Sequence, residues 1–341
     1  MRYYVINAVN QEHRGEWTVD SVSVVIPIYN QAHLVARTIE SLAANTRQPD
    51  EIIIVDDGST DDVQEAIQSF QTNSPFTIRL LKVPHGGPGR AREAGWKAAQ
   101  GTIVAFTDAD AVPARDWLEQ GLKGFTDPQV GGVEGAVESG GNATIFTHQV
   151  HNRFGRQFMT ANMFYRRSVI EAVGGFKSPY REDSDLAFSV LGAGYRIVFV
   201  RDAVVFHPPR QETWWFYFSK AHRKRYEGFL FRNHPDIAPQ YIPRFQPTEL
   251  FIILGELLSL LSLWLGLWSL SVGLLSLLIG LPKRLADWLD GRKYNARDYL
   301  TAWILTLFLV PVEFYYHWLG ILKPPPIPKE LRKSTVKVES H

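Results

Sequence analysis

The chain has no cysteine. That excludes disulfides, thiolate catalysis and cysteine-ligated zinc, and it says little about compartment. Net charge is nearly absent as well: 36 basic residues stand against 35 acidic ones, a balance of +1. No overall field therefore calls for nucleic acid. The N-terminus, Met1-Arg2-Tyr3-Tyr4, lacks the charged-then-apolar order of a signal peptide, so the first domain is expected to stay in the cytosol. At 341 residues there is room for one large or two modest domains.

Charge is scarce in one further place. Over 249–281 leucine, isoleucine, tryptophan and serine dominate, and the charged residues are Glu249 and Glu256. A second apolar stretch over 299–322 is interrupted by Pro311, Glu313 and His317. One membrane span needs ~20 apolar residues, so the first stretch is too long for a straight crossing. It reads as one tilted helix with overhang or as a hairpin turning near Gly266 or Gly273. A buried helical core is the soluble alternative. Lys283, Arg284, Arg292, Lys293 and Arg297 lie between the stretches, and Lys323, Lys329, Arg332, Lys333 and Lys337 follow them. Both groups favour the cytosolic side, which a hairpin plus an interfacial third segment satisfies. Trp288, Tyr315, Tyr316 and Trp318 suit interfacial anchoring. Residues 214–231 mix rings with cations and read as a helix at a membrane surface, or as a core helix with one solvated face.

Before residue 235 the pattern changes. Apolar runs at 23–27, 51–55, 77–83 and 103–106 read as strands, and 31–45, 61–70 and 90–100 read as helices between them. Such alternation predicts a parallel α/β sheet with helices on both faces, and ligands outside the carboxyl ends of its strands. Asp56, Asp57, His85, Asp108 and Asp110 all fall at those ends. Asp108 and Asp110 share one strand face, and two like charges that close call for a cation. A hard divalent ion, Mg²⁺ or Mn²⁺, shared with a phosphorylated substrate is the economical reading; an aspartate capping a turn is the bland one. Further on, 130–138 and 157–165 read as strands, the acidic stretch 181–185 leads into a helix that ends at Gly192, and 197–200 and 203–206 read as short strands.

The ordered set Val24-Val25-Ile26-Pro27-Ile28-Tyr29-Asn30, Ile54-Val55-Asp56-Asp57-Gly58-Ser59, Gly89-Arg90-Ala91-Arg92-Glu93, Asp108-Ala109-Asp110, Gly174-Gly175-Phe176, Glu182-Asp183 and His207-Pro208 resembles the family 2 glycosyltransferases. The likeness covers 21–235. It implies a GT-A fold, a Rossmann-like nucleotide-diphospho-sugar transferase sheet with helices on both faces, to which the apolar stretches add C-terminal membrane helices. It further implies a donor site at Pro27, Tyr29, Asp57, Arg92, Asp108, Gly174 and Gly175. Asp57 would accept from the base, Arg92 would lie near the diphosphate, and Asp108 would face the ribose or a metal-bound water. Asp110 and His207 would ligate Mn²⁺ or Mg²⁺. Asp183 would be the base of an inverting transfer, with Glu182 as its acceptor-side neighbour.

Glu93 stands where many relatives carry asparagine. The Gln-x-x-Arg-Trp motif of processive synthases is absent, which favours transfer of a single sugar to a lipid or membrane-proximal glycan. A processive synthase and a catalytically silent membrane scaffold are the alternatives. The expected organisation is an extension at 1–20, a catalytic domain at 21–235, an interfacial segment at 214–247, membrane helices at 248–322 and a basic tail at 323–341. The expected location is the inner membrane, with the catalytic domain on its cytosolic face and no nucleic-acid partner.

Overall fold

The structure, a computed structural model, describes residues 21–141, 147–178, 180–242, 247–267, 271, 296–323 and 325. They divide into two compact units, one within Met1–Gly140 and Val150–Pro208, the other within Gly141–Gln149 and Pro209–Pro326.

The first unit opens with β1 (Val22–Ile28), α1 (Ala32–Ala43), β2 (Glu51–Asp56), α2 (Val63–Asn73), β3 (Thr77–Lys82), α3 (Pro88–Ala98) and β4 (Ile103–Phe106). Strands β1, β2 and β4 are apolar nearly throughout because both faces of a parallel sheet are covered. Each helix lays one stripe on that sheet. On α1 the buried residues are Val35, Thr38, Ile39 and Leu42, the spacing of a single helical face. Pro27 lies inside β1 rather than closing it. Val25 O faces β4 and Ile28 O faces β2, so Pro27 turns its missing N–H toward β4, beyond the last β1–β4 pair, Val25 with Phe106.

The chain continues through β5 (Val112–Pro113), α4 (Trp117–Lys123), β6 (Val130–Glu138), β8 (Met163–Arg166), α5 (Arg167–Val173), α6 (Glu182–Gly192) and β9 (Arg196–Phe206). Among the described residues the sheet runs β3-β2-β1-β4-β8-β6-β9-β5. It is parallel from β3 to β4, and β8 then enters antiparallel between β4 and β6.

Two buried polar side chains organise this second half. The Glu134 carboxylate on β6 accepts from the backbone N–H groups of Arg156, Gln157 and Phe158 and from the Asn152 amide. That capture bends 157–162 out of the strand expected there: Arg156 and Phe158 have positive φ, 160–162 form a 3₁₀ turn, and pairing starts at Met163. Asn162 accepts from the Trp117 indole (2.8 Å) and donates to the carbonyls of Ala136 (2.7 Å) and Ala203 (2.8 Å). It holds a bulge between β6 and β9, so the two short strands expected at 197–206 are one bulged strand.

The second unit contains β7 (Thr147–His148) paired antiparallel with β10 (Arg210–Gln211), then α7 (Trp214–Arg223), α8 (Glu227–Asn233), α9 (Ala238–Tyr241), α10 (Pro247–Trp264) and α11 (Ala296–Leu322). The single helix expected over 214–231 is broken by a 3₁₀ turn at Lys224–Tyr226. There the chain crosses α11 so closely that a Cβ at Gly228 would strike the Gly320 carbonyl. His317, which interrupts the second apolar stretch, is buried against Glu227 at 2.8 Å.

The apolar run ends α10 at Trp264, and Gly266 follows with φ +76°. At 1.5 Å per residue α10 reaches about 27 Å, short of a ~30 Å hydrocarbon core. The other helix carries Arg297, Asp298 and Glu313 and an internal Pro311. Among the described residues no helix is long and apolar enough to cross a membrane, so the expected membrane-spanning helices are not found there. Gly273, Trp288, the basic group at 283–293, the extension at 1–20 and the tail from 326 onward lie outside the described residues.

Glu134→Ala would leave three backbone N–H groups without their acceptor. We expect a loss of about 3 kcal/mol, each unsatisfied buried donor costing roughly 1–3 kcal/mol before relaxation, read as a lower Tm of the full chain.

Candidate active site

The carboxyl ends of β1 and β2 are laced together. Asn30, at φ 52°, donates its N–H to Ser59 Oγ (3.0 Å), and its side-chain oxygen accepts from Thr60 N (2.7 Å). Asp57, just past β2, accepts from the backbone N–H groups of Gly86 and Gly87 at 2.8 Å each, and His85 Nδ1 lies 3.0 Å from its carboxylate. His85 stacks on the exposed Tyr29 ring, centroids 4.3 Å apart. The result is a ring platform beside a buried carboxylate. Sequence reasoning noted His85 at a strand end but did not count it in the site; its pairing with Tyr29 joins residues far apart in the chain.

The turn after β4 carries Asp108 and Asp110. It is tied to α1 by the Thr38 hydroxyl, which shares its proton between the carbonyls of Ala109 (2.8 Å) and Ala111 (2.7 Å). From β9 the chain brings His207, whose N–H donates to Glu138 O (2.8 Å). His207 Nε2 lies 3.4 Å from Asp110 and 3.8 Å from Asp108, and one donor atom from each residue falls within 4.8 Å of the others. Nδ1 lies 3.2 Å from the Pro208 carbonyl, which leaves Nε2 as the ring nitrogen that faces the carboxylates. Two hard oxygens and an imidazole nitrogen form a donor set that fits Mn²⁺ or Mg²⁺.

Arg92, expected near the diphosphate, is held by carboxylates. It is buried on α3, with one terminal nitrogen on Asp108 (2.7 Å) and the other on Glu182 (2.9 Å). Burial works against its charge, but Asp108 and Glu182 more than offset that and raise its pKa further. Glu182 and Asp183 open α6, their backbone amides at its positive end. Burial pushes the Glu182 carboxyl up to about 7 despite Arg92, with Asp183 adding to the rise. Burial also raises Asp183, against the Ser184 N–H that bonds its Oδ1 at 2.6 Å.

The two glycines assigned to the donor have structural duties. Gly174 caps α5 in the left-handed region, and Gly175 (φ +68°) passes so near the Glu93 carboxylate that a Cβ there would collide with it. Glu93, the residue that departs from the family pattern, accepts from Phe176 N (2.8 Å) and the Trp96 indole (2.5 Å). It therefore ties the Gly-Gly-Phe turn to α3. Pro27 is half-buried one residue before the end of β1.

A family model for glycosyl transferase family 2 matches residues 23–186. Glycosyltransferase AglE of Haloferax volcanii is 31% identical over 208 residues, covering 57% of this chain and 68% of that protein. This chain belongs to glycosyl transferase family 2. A pre-mycofactocin glycosyltransferase of Mycobacterium tuberculosis is 32% identical over 235 residues, covering 63% of this chain but 48% of its own length. The family 2 sheet also resembles that of the mannosyltransferase PcManGT from Pyrobaculum calidifontis, solved with GDP-Man and Mn²⁺. The two agree with a TM-score of 0.59 over 88% of this chain and 87% of that one, at 19% identity, which shows a common fold of the GT-A kind. The chain is a glycosyltransferase with an Asp-Asp-His group suited to a divalent ion.

If those three residues hold the ion, Mn²⁺ added to the full chain gives one saturable bound species by electron paramagnetic resonance. Asp110→Ala and His207→Ala should each weaken it at least tenfold.

Proposed function

We propose that this glycosyltransferase moves one sugar, with inversion, from a nucleoside diphosphate donor to a hydroxyl of a lipid or membrane-proximal glycan. The observation that carries the reading is the junction at Arg92. One guanidinium joins Asp108 of the Asp-Asp-His group to Glu182, the neighbour of Asp183. A leaving diphosphate and an attacking hydroxyl need opposite help close together, and this junction offers both.

The residues take the following roles. Tyr29 and His85 stack a nucleobase above the Pro27 turn, and Asp57 accepts its N–H. Asp110 and His207 hold Mn²⁺ or Mg²⁺, while Asp108 reaches the ribose or a metal-bound water. Bound there, the ion supplies positive charge for the diphosphate. Arg92 stabilises the Asp108 and Glu182 carboxylates and adds positive charge to the floor of the site. Gly174 and Gly175 shape the donor wall through the Glu93 contact. Asp183 takes the proton of the acceptor oxygen as that oxygen bonds to the anomeric carbon and the diphosphate leaves with the electron pair of the broken bond. PcManGT, whose structure holds GDP-Man and Mn²⁺, supports a nucleotide donor and a manganese-like ion.

Transfer of a single sugar is supported by the sequence Lys220-Ala221-His222-Arg223-Lys224-Arg225-Tyr226, where a processive synthase would carry Gln-x-x-Arg-Trp. The organisation follows the sequence: a catalytic domain at 21–235, an interfacial segment at 214–247, membrane-associated helices at 248–322 and a basic tail, on the cytosolic face of the inner membrane. Leu254, Leu257, Leu258, Leu260 and Leu261 of α10 are exposed, as are Trp215 and Trp264. A helix with that much bare leucine needs an apolar cover, and a bilayer interface supplies one.

A base must be ionised to act. Because burial raises the Glu182 and Asp183 carboxyls, activity should fall as pH drops through a value above the ordinary carboxylate range of ~4. Glu182→Gln removes a neighbouring negative charge and should move that acidic limb to lower pH. Asp183→Asn should cut turnover roughly 10²-fold or more with Mn²⁺ binding retained. An unshifted profile and an active Asp183→Asn enzyme would contradict the assignment. For the membrane, the full chain should co-float with anionic phospholipid vesicles, and Leu257→Asp with Leu261→Asp should reduce the floated fraction several-fold.

A further inference from the structure

At the end of β6 a cleft of about 320 Å³ opens within the first unit. That is the size of a small-ligand pocket rather than a packing defect, such pockets running from ~300 Å³ upward. Ala136 and Glu138, two residues apart on β6, line it from one strand face, and Gly140 follows just past the strand. Phe206, the β9 partner of Glu138, contributes an aromatic wall. Ser139, Arg153 and Arg201 line it as well.

The two arginines are fixed at the backbone. Arg153 follows Asn152, whose N–H and C=O both bond to Val137 of β6, and whose side chain is held by Glu134. Arg201 stands in the β9 bulge that Asn162 secures through Ala136 and Ala203. Neither guanidinium has an ion-pair partner among the described residues, although Glu138 lines the same cleft. The Ser139 hydroxyl has almost no accessible surface, so that residue lines the cleft without offering its oxygen to it. Arg153 and Arg201 are both exposed, and two guanidiniums at one cleft are matched by an oxyanion that accepts from both. The space exceeds what an oxyanion alone fills. The Phe206 ring and the Glu138 carboxylate suit the apolar face and the hydroxyls of a sugar ring.

We infer that this cleft binds an acidic saccharide, a sugar bearing a phosphate-class oxyanion, separately from the donor diphosphate. Glu138 lines the cleft and its carbonyl holds the His207 N–H, so the bound sugar would belong to the acceptor. That last step rests on the transferase reading; the binding itself does not. Gly140 keeps the cleft open, since a Cβ there would come within 3.1 Å of the Phe206 ring.

The test is calorimetry on the full chain in EDTA, with glucose 6-phosphate, inorganic phosphate and glucose as probes. The inference predicts saturable binding of glucose 6-phosphate, at least tenfold tighter than inorganic phosphate, and none of glucose. Arg153→Gln, Arg201→Gln and Gly140→Val should each weaken it at least tenfold while the melting temperature stays within a few degrees of the parent. No saturable binding, equal affinity for inorganic phosphate, or an unchanged affinity in the double arginine variant would overturn it. Donor hydrolysis measured alongside separates the two readings: Arg-dependent binding in a chain that cleaves no nucleotide sugar keeps the cleft and removes the transferase role.

Discussion

A single buried guanidinium allows so many carboxylates to gather at one end of this sheet. Arg92 reaches Asp108 on one side and Glu182 on the other; the guanidinium and Glu182 are nearly out of water, and Asp108 is a quarter exposed. Remove it, and Asp108, Glu182 and Asp183 would face each other in a poorly solvated space with no fixed positive charge between them. Such an ion network is costly to assemble and costlier to break at one member. Its value here is positional: it sets the start of α6 relative to the end of β4, elements far apart in the chain. The acidic turn of β4 is held from the other side by Thr38.

Around that junction the protein uses polar groups where a simpler fold would use apolar ones. Glu134 gathers the N–H groups of a turn that has left-handed residues, and Asn162 staples a bulge while accepting from Trp117. Both sit in the half of the sheet where antiparallel β8 interrupts the parallel order. The Gly174-Gly175 turn is fitted to Glu93 in the same way. These choices give the second half of the domain one defined shape, and His207 and the β6 cleft both depend on it.

The first half of the fold was legible because its signals are local. A short run rich in apolar residues marks each of the strands before residue 107, and the helices between them show their buried stripes at the expected spacing. The second half was not, because its decisive contacts are distant. Nothing near Gln157 announces that Glu134 will claim its N–H, so a strand-like composition misled there. The site followed the same rule. Asp108, Asp110 and His207 could be picked out as types and motifs, and the structure brings them within reach of one ion. The partners of Arg92 lie 16 and 90 residues away, and a family pattern that puts it near a diphosphate does not foretell its carboxylates. The leucine-rich stretch was read from hydropathy as membrane helix, whereas α10 stops at Trp264 with several leucines exposed.

The central claim is that Asp108, Asp110 and His207 hold a divalent ion at which a nucleoside diphosphate binds. Anomalous diffraction from crystals of the full chain grown with Mn²⁺ and either UDP or GDP tests it most directly. The account predicts a manganese peak within bonding distance of Asp110 and His207 Nε2, with diphosphate oxygens on the same ion and the base against Tyr29. A nucleotide bound with its diphosphate away from these residues, or manganese held elsewhere, would contradict it.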